Sequence, residues 1–332
     1  MKKILNHPDD FVDESISGIL LAHSNFLTPV EGEPRAIIRK DAPVQGKVAI
    51  ATGGGYGHLP VFLGYVGEGM ADGVSVGNVF TSPSADAMFE VTKAIDGGAG
   101  VLYLYGNYFG DKMNFDYAAE LAADEGIRVE TVRVSDDVAS APFESKDKRR
   151  GVAGLFFVYK IAGACAEAGA SLDEVKRVAE QALESVRTMG VGLAPCIIPA
   201  SGKPTFEIGA DEVELGIGIH GEPGIQKQQL ATANEIIAQL LEHLVSDLNV
   251  KSGDEVCVLV NGTGSTPLEE LYIAYKEVHE WLAKKGIQIY RPFVGEYATS
   301  LEMAGLSLSL LKMNDSLKPF MDAPARTPFI RL

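Results

Sequence analysis

The sequence predicts an α/β protein built from two α/β domains. Three observations support this class: a length of 332 residues, short apolar runs that end in glycine, and helix-like stretches between those runs. At roughly 100–200 residues per domain, the length suits two domains or one large α/β domain. We expect residues 1–188 to contain a largely parallel sheet flanked by helices, and residues 189–332 to contain a smaller layered sheet with helices.

The first half alternates predicted helices and strands. An amphipathic helix is expected over residues 11–24, where apolar residues follow an acidic start. Residues 47–52, 100–106 and 127–134 are short apolar or β-branched runs, which are typical of strands. Residues 114–126 between the last two have helix composition and a glycine stop. The order strand, helix, strand favours a parallel sheet.

Two more helices are predicted before the middle of the chain. Apolar and small residues over 154–168 indicate a closely packed helix. A second helix starts at Ser171, which has Glu174 three residues later as in a capping box, and is expected to end at Gly190. The domain boundary therefore falls near residues 185–195.

The second half opens with residues 190–224, a stretch rich in glycine, proline and β-branched residues, which predicts strands joined by turns. Helices are expected over residues 231–248 and 268–286, because both stretches have helical composition. The apolar runs over residues 255–262 and 287–295 predict further strands.

Composition narrows the class of protein. Hydrophobic residues make up 46% and charged residues 22% of the chain, which excludes wholesale disorder. The formal net charge of −16 argues against nucleic acid or an anionic membrane as partner, because phosphates repel such a chain. No signal peptide and no apolar stretch of membrane-spanning length is recognised, so a cytoplasmic location is expected. The three cysteines form no CxxC and are expected to be buried free thiols.

Three glycine-rich loops follow predicted strands, at residues 53–58, 106–111 and 216–224. Ligands bind outside the carboxyl ends of strands in open α/β sheets, and glycines let the backbone approach them. Simple tight turns are the alternative. The third loop matches G-x-G-x-x-G only formally, since Pro223 breaks the chain where a helix would have to start. No Walker loop occurs, so the chain shows no recognisable nucleotide site of its own.

Titratable groups in these loops are the candidate functional residues. Of six histidines, only His58 and His220 lie in glycine loops. Neither has a second His or Cys at metal spacing, which argues against zinc, and no metal site is predicted. An imidazole can act as base, acid or nucleophile, whereas Asp111 can also be a helix cap. Two imidazoles and a carboxylate suit chemistry on a carbonyl and a hydroxyl.

Long motifs, in order along essentially the whole chain, carry a family resemblance. The sequence resembles the dihydroxyacetone-binding subunit of bacterial dihydroxyacetone kinases, the kind that is separate from its nucleotide-carrying subunit. The matching motifs are KVAIATGGGYGH, NVFTSPSAD, NYFGDKMNF, RRGVAG, PASGKPTF, GIHGEPGI, VNGTGSTPLEELY, YATSLEMAG and DAPARTP.

The resemblance implies a role for each candidate residue. The family histidine that adds to the ketone carbon of a short-chain ketose, forming a hemiaminal, falls on His220. His58 would move the proton of the carbonyl oxygen and hydrogen-bond the ligand, and Asp111 would be the base for the terminal hydroxyl. The remaining substrate-contacting positions are Gly55, Tyr56, Gly57, Ser82 and Gly106.

The resemblance also implies the partners. The phosphoryl group would come from a separate subunit that holds ATP, or ADP serviced by a phosphotransferase-system protein. Magnesium would be bound by that subunit, so no cofactor is expected in this chain. A homodimer is also implied.

Two positions depart from the family pattern. Leu59 stands where the family has Glu, and Gly106 stands where it has a substrate-contacting Lys. The losses remove polar contacts and, at Gly106, open space. The substrate can then be a four-carbon ketose such as erythrulose, activity on dihydroxyacetone can be weak, or the chain can be a ketose sensor or co-activator without phosphoryl transfer. A nicotinamide oxidoreductase is the alternative from a different class.

Overall fold

The computed structural model describes residues 2–332 as two six-stranded sheets with helices around and between them. The first sheet has the order β1-β2-β4-β3-β5-β6. Its four strands β4, β3, β5 and β6 run parallel, and β1 and β2 add an antiparallel edge. Its strands are β1 (Leu27–Val30), β2 (Glu33–Arg39), β3 (Ala49–Tyr56), β4 (Gly73–Val79), β5 (Val101–Gly106) and β6 (Val129–Val134).

The second sheet has the order β11-β10-β12-β7-β8-β9 and is mainly antiparallel, with β10 and β11 the parallel pair. The strands of this second sheet are β7 (Val186–Ala194), β8 (Glu212–Leu215), β9 (Gln226–Gln229), β10 (Glu255–Gly262), β11 (Gln288–Gly295) and β12 (Ala304–Lys312). The predicted α/β class with two sheets flanked by helices is therefore confirmed.

Eight α-helices complete the described part of the chain. They are α1 (Phe11–Ala22), α2 (Ala85–Ile95), α3 (Phe109–Asp124), α4 (Leu155–Glu167), α5 (Leu172–Glu184), α6 (Ala233–Asp247), α7 (Leu268–Lys284) and α8 (Lys318–Asp322). Three short 3₁₀ turns are Pro8–Asp10, Leu63–Tyr65 and Phe143–Lys148.

One helix joins the two halves. Every residue of α4 from Leu155 to Ala166 is buried. Its side chains share one apolar core with Ile50 and Leu102 of the first sheet and with Cys257 and Leu259 of the second. A helix that is apolar all round must be enclosed on every side, so α4 packs the two sheets into a common interior.

The predicted end of the helix after Ser171 is wrong. Ser171 does cap α5 by accepting from the Glu174 amide, but the helix stops at Glu184 and Val186 already belongs to β7. The reason is non-local, because β7 pairs with β12 on one side and β8 on the other. All of β7 lies in the second sheet, and the boundary between residues 188 and 189 remains a prediction.

The second half of the chain clamps the loop that follows β3. The amide of Thr299 donates to the His58 carbonyl at 3.2 Å, and the amide of Leu301 donates to the Gly57 carbonyl at 2.7 Å. The Thr299 hydroxyl also donates to the Leu59 carbonyl at 2.9 Å. These bonds fix the His58 loop against the end of the second sheet.

The clamp is held by the buried side chain of Asn261 at the end of β10. Its Oδ1 accepts from the amides of Tyr297 and Ala298, both at 2.8 Å, and its Nδ2 donates to the Ala298 carbonyl at 2.8 Å. Since buried backbone groups need partners, this one amide satisfies the turn that leads into Thr299.

We predict that Asn261→Ala lowers the free energy of unfolding by roughly 3 kcal/mol, because it leaves several buried backbone groups unpaired. Urea unfolding measures the change. The control is Asn6→Ala, whose side chain makes only exposed bonds to Glu14 and should cost less than about 1 kcal/mol. Equal losses in the two variants would contradict the role given to Asn261.

Candidate functional site

The structure brings the two loop histidines together. The ring centroids of His58 and His220 lie 4.9 Å apart, with the rings at 68°. The side chain of Asp111 is close enough that the charge of His220 acts on its pKa. The three residues come from the loop after β3, the loop after β8 and the first turn of α3, so separate pieces of sequence form one site.

His58 is a buried, neutral imidazole with one free nitrogen. Its Nδ1 lies 2.7 Å from the Thr299 carbonyl, and its ring stacks on Phe80 at 4.9 Å. Burial, together with nearby His220, lowers the pKa of His58 to about 3. A carbonyl oxygen only accepts, so Nδ1 carries the proton and Nε2 keeps its lone pair. Among residues 2–332, that Nε2 has no hydrogen-bond partner.

His220 is held by the carboxylate of Glu222. Its Nδ1 lies 2.9 Å from Oε1, and its backbone amide donates to Oε2 at 2.9 Å. Burial opposes the charged form of Glu222, but the bond to His220 and the charge of Arg150 outweigh it and lower the pKa of Glu222 to about 2. An ionised carboxylate keeps the proton of His220 on Nδ1. Nε2 is then the nitrogen with a free electron pair.

Asp111 was expected just before a helix and lies inside the first turn of α3. Burial raises the pKa of its carboxyl to about 6, although a hydrogen bond with Ser82 and the charge of His220 oppose the shift. Its Oδ1 has no partner in the part of the chain that the structure describes. The carboxyl is thus a base that titrates close to neutral pH.

Tyr108 lies in the predicted loop 106–111 but was not predicted to contact the histidines. Its ring lies edge-on to His220, with the centroids 5.0 Å apart. Burial raises the pKa of Tyr108 well above its ordinary value, so the hydroxyl keeps its proton. The space expected beside Gly106 is bounded by this ring, since an added Cβ there would lie 3.2 Å from Tyr108. Phe80 and Thr299 were missed because only the fold brings them to the histidines. Glu222 was missed although it lies two residues after His220 in the same predicted loop.

The other predicted positions divide into two groups. Gly55 and Gly57 allow close backbone approach, because a Cβ at either would lie within 2.8 Å of Phe80 or Thr81. Tyr56 turns its side chain away, and its hydroxyl bonds to Ser15 of α1. Leu59 packs in the apolar cluster between α1 and the first sheet. An apolar side chain therefore occupies the position at which a carboxylate was expected.

Unpartnered polar atoms concentrate at this site. Four buried side-chain atoms lack a hydrogen-bond partner within the described residues, namely His58 Nε2, Asp111 Oδ1, and the hydroxyls of Tyr105 and Tyr108. Three of them belong to residues around His220. A buried polar atom without a partner is costly, so three such atoms in one place indicate a site for a small polar ligand.

The two histidines can be reached from the His220 side. His220 keeps 24% of its side chain exposed, whereas His58 is buried. A space of about 10 Å³, room for one water molecule, lies beside Gly55, Gly57 and His58, but neither His220 nor Asp111 lines it. The larger clefts of about 520 and 580 Å³ contain neither histidine, and their lining is mostly charged or polar.

Residues 2–332 contain neither a cluster of metal ligands nor a membrane-spanning helix. No group of three or more His, Cys, Asp or Glu side chains is arranged to hold a metal ion. No helix there is long and apolar enough to cross a membrane.

Comparison with known proteins shows the family to which the chain belongs. Residues 17–329 match the Dak1 domain, and the chain belongs to this family of dihydroxyacetone kinase proteins. It is 49% identical over 315 residues to the dihydroxyacetone-binding subunit DhaK of PTS-dependent dihydroxyacetone kinase 1 of Listeria innocua, covering 95% of each chain. It is 44% identical to the same subunit of kinase 2 of that organism, covering 100% of both.

Solved structures agree. The dihydroxyacetone kinase of C. freundii has a TM-score of 0.87 at 31% identity, covering 98% of this chain and 59% of the kinase. The dihydroxyacetone kinase operon co-activator DhaQ has a TM-score of 0.88 at 32% identity, covering 94% of this chain and 96% of the co-activator. The fold is therefore shared by a kinase and by a regulator.

We predict that Asp111→Asn stabilises the chain at neutral pH. A carboxyl whose pKa is raised from 3.8 to about 6 by burial disfavours the folded state once it ionises, so stability is lost as pH rises from about 4 to 6. Urea unfolding at pH 7 should show the variant more stable by about 3 kcal/mol. The gain should nearly vanish at pH 4. Asp116→Asn, on the exposed face of α3, is the control and should change little at either pH.

Proposed function

We propose that this chain is the ketose-binding subunit of a two-component dihydroxyacetone-type kinase, a phosphotransferase that is active only with a partner subunit. One observation carries the proposal: the rings of His58 and His220 lie 4.9 Å apart, and His58 Nε2 and Asp111 Oδ1 are buried without a partner among the described residues. A ketose supplies an electrophilic carbon for the imidazole nitrogen of His220 and oxygens for the other two atoms.

The covalent step takes place at His220. Its Nε2 lone pair forms a bond to the ketone carbon, and the π electrons of the C=O bond move to the oxygen, which takes a proton from solvent. The positive charge left on the ring lies against the Glu222 carboxylate, which Arg150 keeps ionised at 3.7 Å. Reversible attachment gives a very small ligand an affinity that its contact area cannot provide.

His58 and Asp111 then act on two different oxygens of the ketose, the adduct hydroxyl and the terminal hydroxyl. The unprotonated Nε2 of His58 accepts a hydrogen bond from the new hydroxyl; when the adduct breaks down, it takes the proton of that hydroxyl and releases it to solvent. Asp111 accepts the proton of the terminal hydroxyl as that oxygen attacks phosphorus. Attachment fixes the hydroxyl in place, and positioning is the main requirement of phosphoryl transfer. The ligand would be lined by the backbone at Gly55 and Gly57 and by the hydroxyl of Ser82.

The phosphoryl donor belongs to the partner. The chain has no phosphate-binding loop, which supports a separate subunit that carries the nucleotide with magnesium. Curated relatives at 41–49% identity are named as subunits of PTS-dependent kinases, which supports a phosphotransferase-system donor. The structure of the C. freundii kinase with AMP-PNP and Mg²⁺ supports ATP as the alternative. Residues 2–332 of this chain would then need no cofactor of their own.

Two alternatives have specific support. The likeness to a co-activator supports a ketose sensor without phosphoryl transfer. Kinases named for L-erythrulose and D-erythrulose are 41% and 42% identical, although this chain spans less than 60% of their length, and they support a four-carbon substrate. Leu59 and Gly106 motivate both alternatives. The unpartnered Asp111 favours the kinase, because a sensor needs no base for a hydroxyl.

The decisive experiment separates adduct formation from transfer. Carbon-13 labelled dihydroxyacetone and both erythrulose enantiomers are mixed with the chain, and NMR follows the carbonyl carbon as it becomes tetrahedral. Phosphorylation is then assayed with the nucleotide-binding subunit encoded in the same genome. We predict that His220→Ala abolishes the adduct. We predict that Asp111→Asn keeps the adduct and slows transfer by about 10²–10⁴-fold.

The control is His243→Ala, an exposed histidine on α6, which should behave as wild type. Transfer should also fall below about pH 6, where Asp111 takes up a proton. An adduct in the wild type without transfer of any ketose would make the chain a sensor. The absence of any adduct would overturn the proposal.

We also propose that the chain forms a homodimer. Strand β9 is the outer strand of the second sheet, and Ile225 and Leu230 at its two ends are about half exposed. A second copy of the chain would cover these two apolar side chains. Light scattering should give twice the chain mass of 35.4 kDa. Ile225→Lys with Leu230→Lys should give monomers, whereas Leu268→Lys on α7 should not; a wild-type monomer would contradict the proposal.

A further inference from the structure

Tyr108 has no role in the chemistry described above, yet it is placed like a ligand-binding residue. Its ring packs edge-on against His220, and its hydroxyl is buried without a partner among the described residues. The hydroxyl stays protonated, so it is a donor that needs an acceptor. An unexplained buried donor beside a reactive side chain calls for a physical reason.

The charged side chains near Tyr108 do not accept a hydrogen bond from its hydroxyl. Glu222, Arg150 and Asp137 act on Tyr108 electrostatically, but each is engaged. Glu222 accepts from His220 twice and faces Arg150 at 3.7 Å. Asp137 accepts from the Arg150 guanidinium at 2.8 Å and from the Ala139 amide at 3.0 Å. Asp136, the fourth such group, accepts from the amides of Val152 and Gly154, both at 2.8 Å. None of these side chains accepts from the Tyr108 hydroxyl, which leaves it free to donate to a bound ligand.

Gly106 is the reason why the ring can lie there. The Tyr108 amide donates to the Gly106 carbonyl at 2.8 Å, which folds the two residues over each other. A Cβ at Gly106 would approach the Tyr108 ring to 3.2 Å and the Gly151 carbonyl to 3.3 Å. Any longer side chain at Gly106 would have to compete with the ring for its place. Because Gly106 has no side chain, the Tyr108 ring can occupy this side of the site.

We propose that the Tyr108 hydroxyl donates a hydrogen bond to the second hydroxyl of the ketose, on the side of the carbonyl away from the hydroxyl held by Asp111. The inference rests on the proposed function. The smallest such ketose has three oxygens, and the site offers three unpartnered atoms: His58 Nε2 for the adduct oxygen, Asp111 Oδ1 for the attacking hydroxyl, and Tyr108 for the third. Tyr108 then selects ketoses with hydroxyls on both sides of the carbonyl.

The test is a comparison of two ketoses in two proteins. Dihydroxyacetone has both hydroxyls, and hydroxyacetone lacks the second. Affinities of both are measured by NMR for the wild-type chain and for Tyr108→Phe. The ratio of the two affinities is compared between proteins, because the ratio cancels the different reactivities of the two carbonyls.

We expect Tyr108→Phe to weaken dihydroxyacetone binding about tenfold and to leave hydroxyacetone binding unchanged. The unliganded variant should be at least as stable as wild type, since it loses a buried hydroxyl that had no partner. Tyr105 is not a suitable control, because the charge of Asp111 acts on its hydroxyl. Tyr103→Phe serves instead: the Tyr103 hydroxyl bonds to Thr92 at 2.6 Å in the core of the first sheet, and its removal should change neither affinity.

Other outcomes overturn the inference. An equal loss for both ketoses would make Tyr108 a support for His220 rather than a contact for the ligand. Unchanged affinity for both would show that the hydroxyl meets no ligand oxygen. Either result leaves the proposed function standing, provided the wild type forms its adduct. A wild type that forms no adduct with either ketose would contradict the proposed function, and the inference with it.

Discussion

The hydrogen bond between His58 Nδ1 and the Thr299 carbonyl is the interaction on which the site depends. It joins the loop after β3 to a segment from the other sheet, and it settles which ring nitrogen is free. The backbone bonds from Thr299 and Leu301 hold the same two segments in register, and Asn261 holds the turn before them. The arrangement of His58 thus requires that both halves of the chain are folded.

The same geometry explains why the site is neutral on one side and charged on the other. His58 is enclosed by Phe80 and by backbone and has a pKa too low to be charged at neutral pH. Glu222 is stabilised as an anion by His220 and Arg150. The neutral ring of His58 and the ring of His220 therefore lie 4.9 Å apart, with the Glu222 carboxylate bound to the His220 ring.

Much of this arrangement could be predicted from the sequence, and the exceptions have physical causes. Glycines mark places where the chain must turn or come close, so the loops of His58, Asp111 and His220 were visible as local patterns. Tyr108 and Thr299 have no distinctive sequence pattern, and only the fold places them in contact with His220 and His58. The segment from Val186 was predicted as helix because its strand character comes from its neighbours β12 and β8.

The helix α4 has a consequence for how the protein can move. Because its side chains are buried against both sheets, swinging one half away from the other would open the largest apolar core to water. Hinge closure of the kind seen in many two-lobed enzymes is therefore costly here. A ligand must therefore reach His58 and His220 without separation of the two sheets, from the side on which His220 is partly exposed.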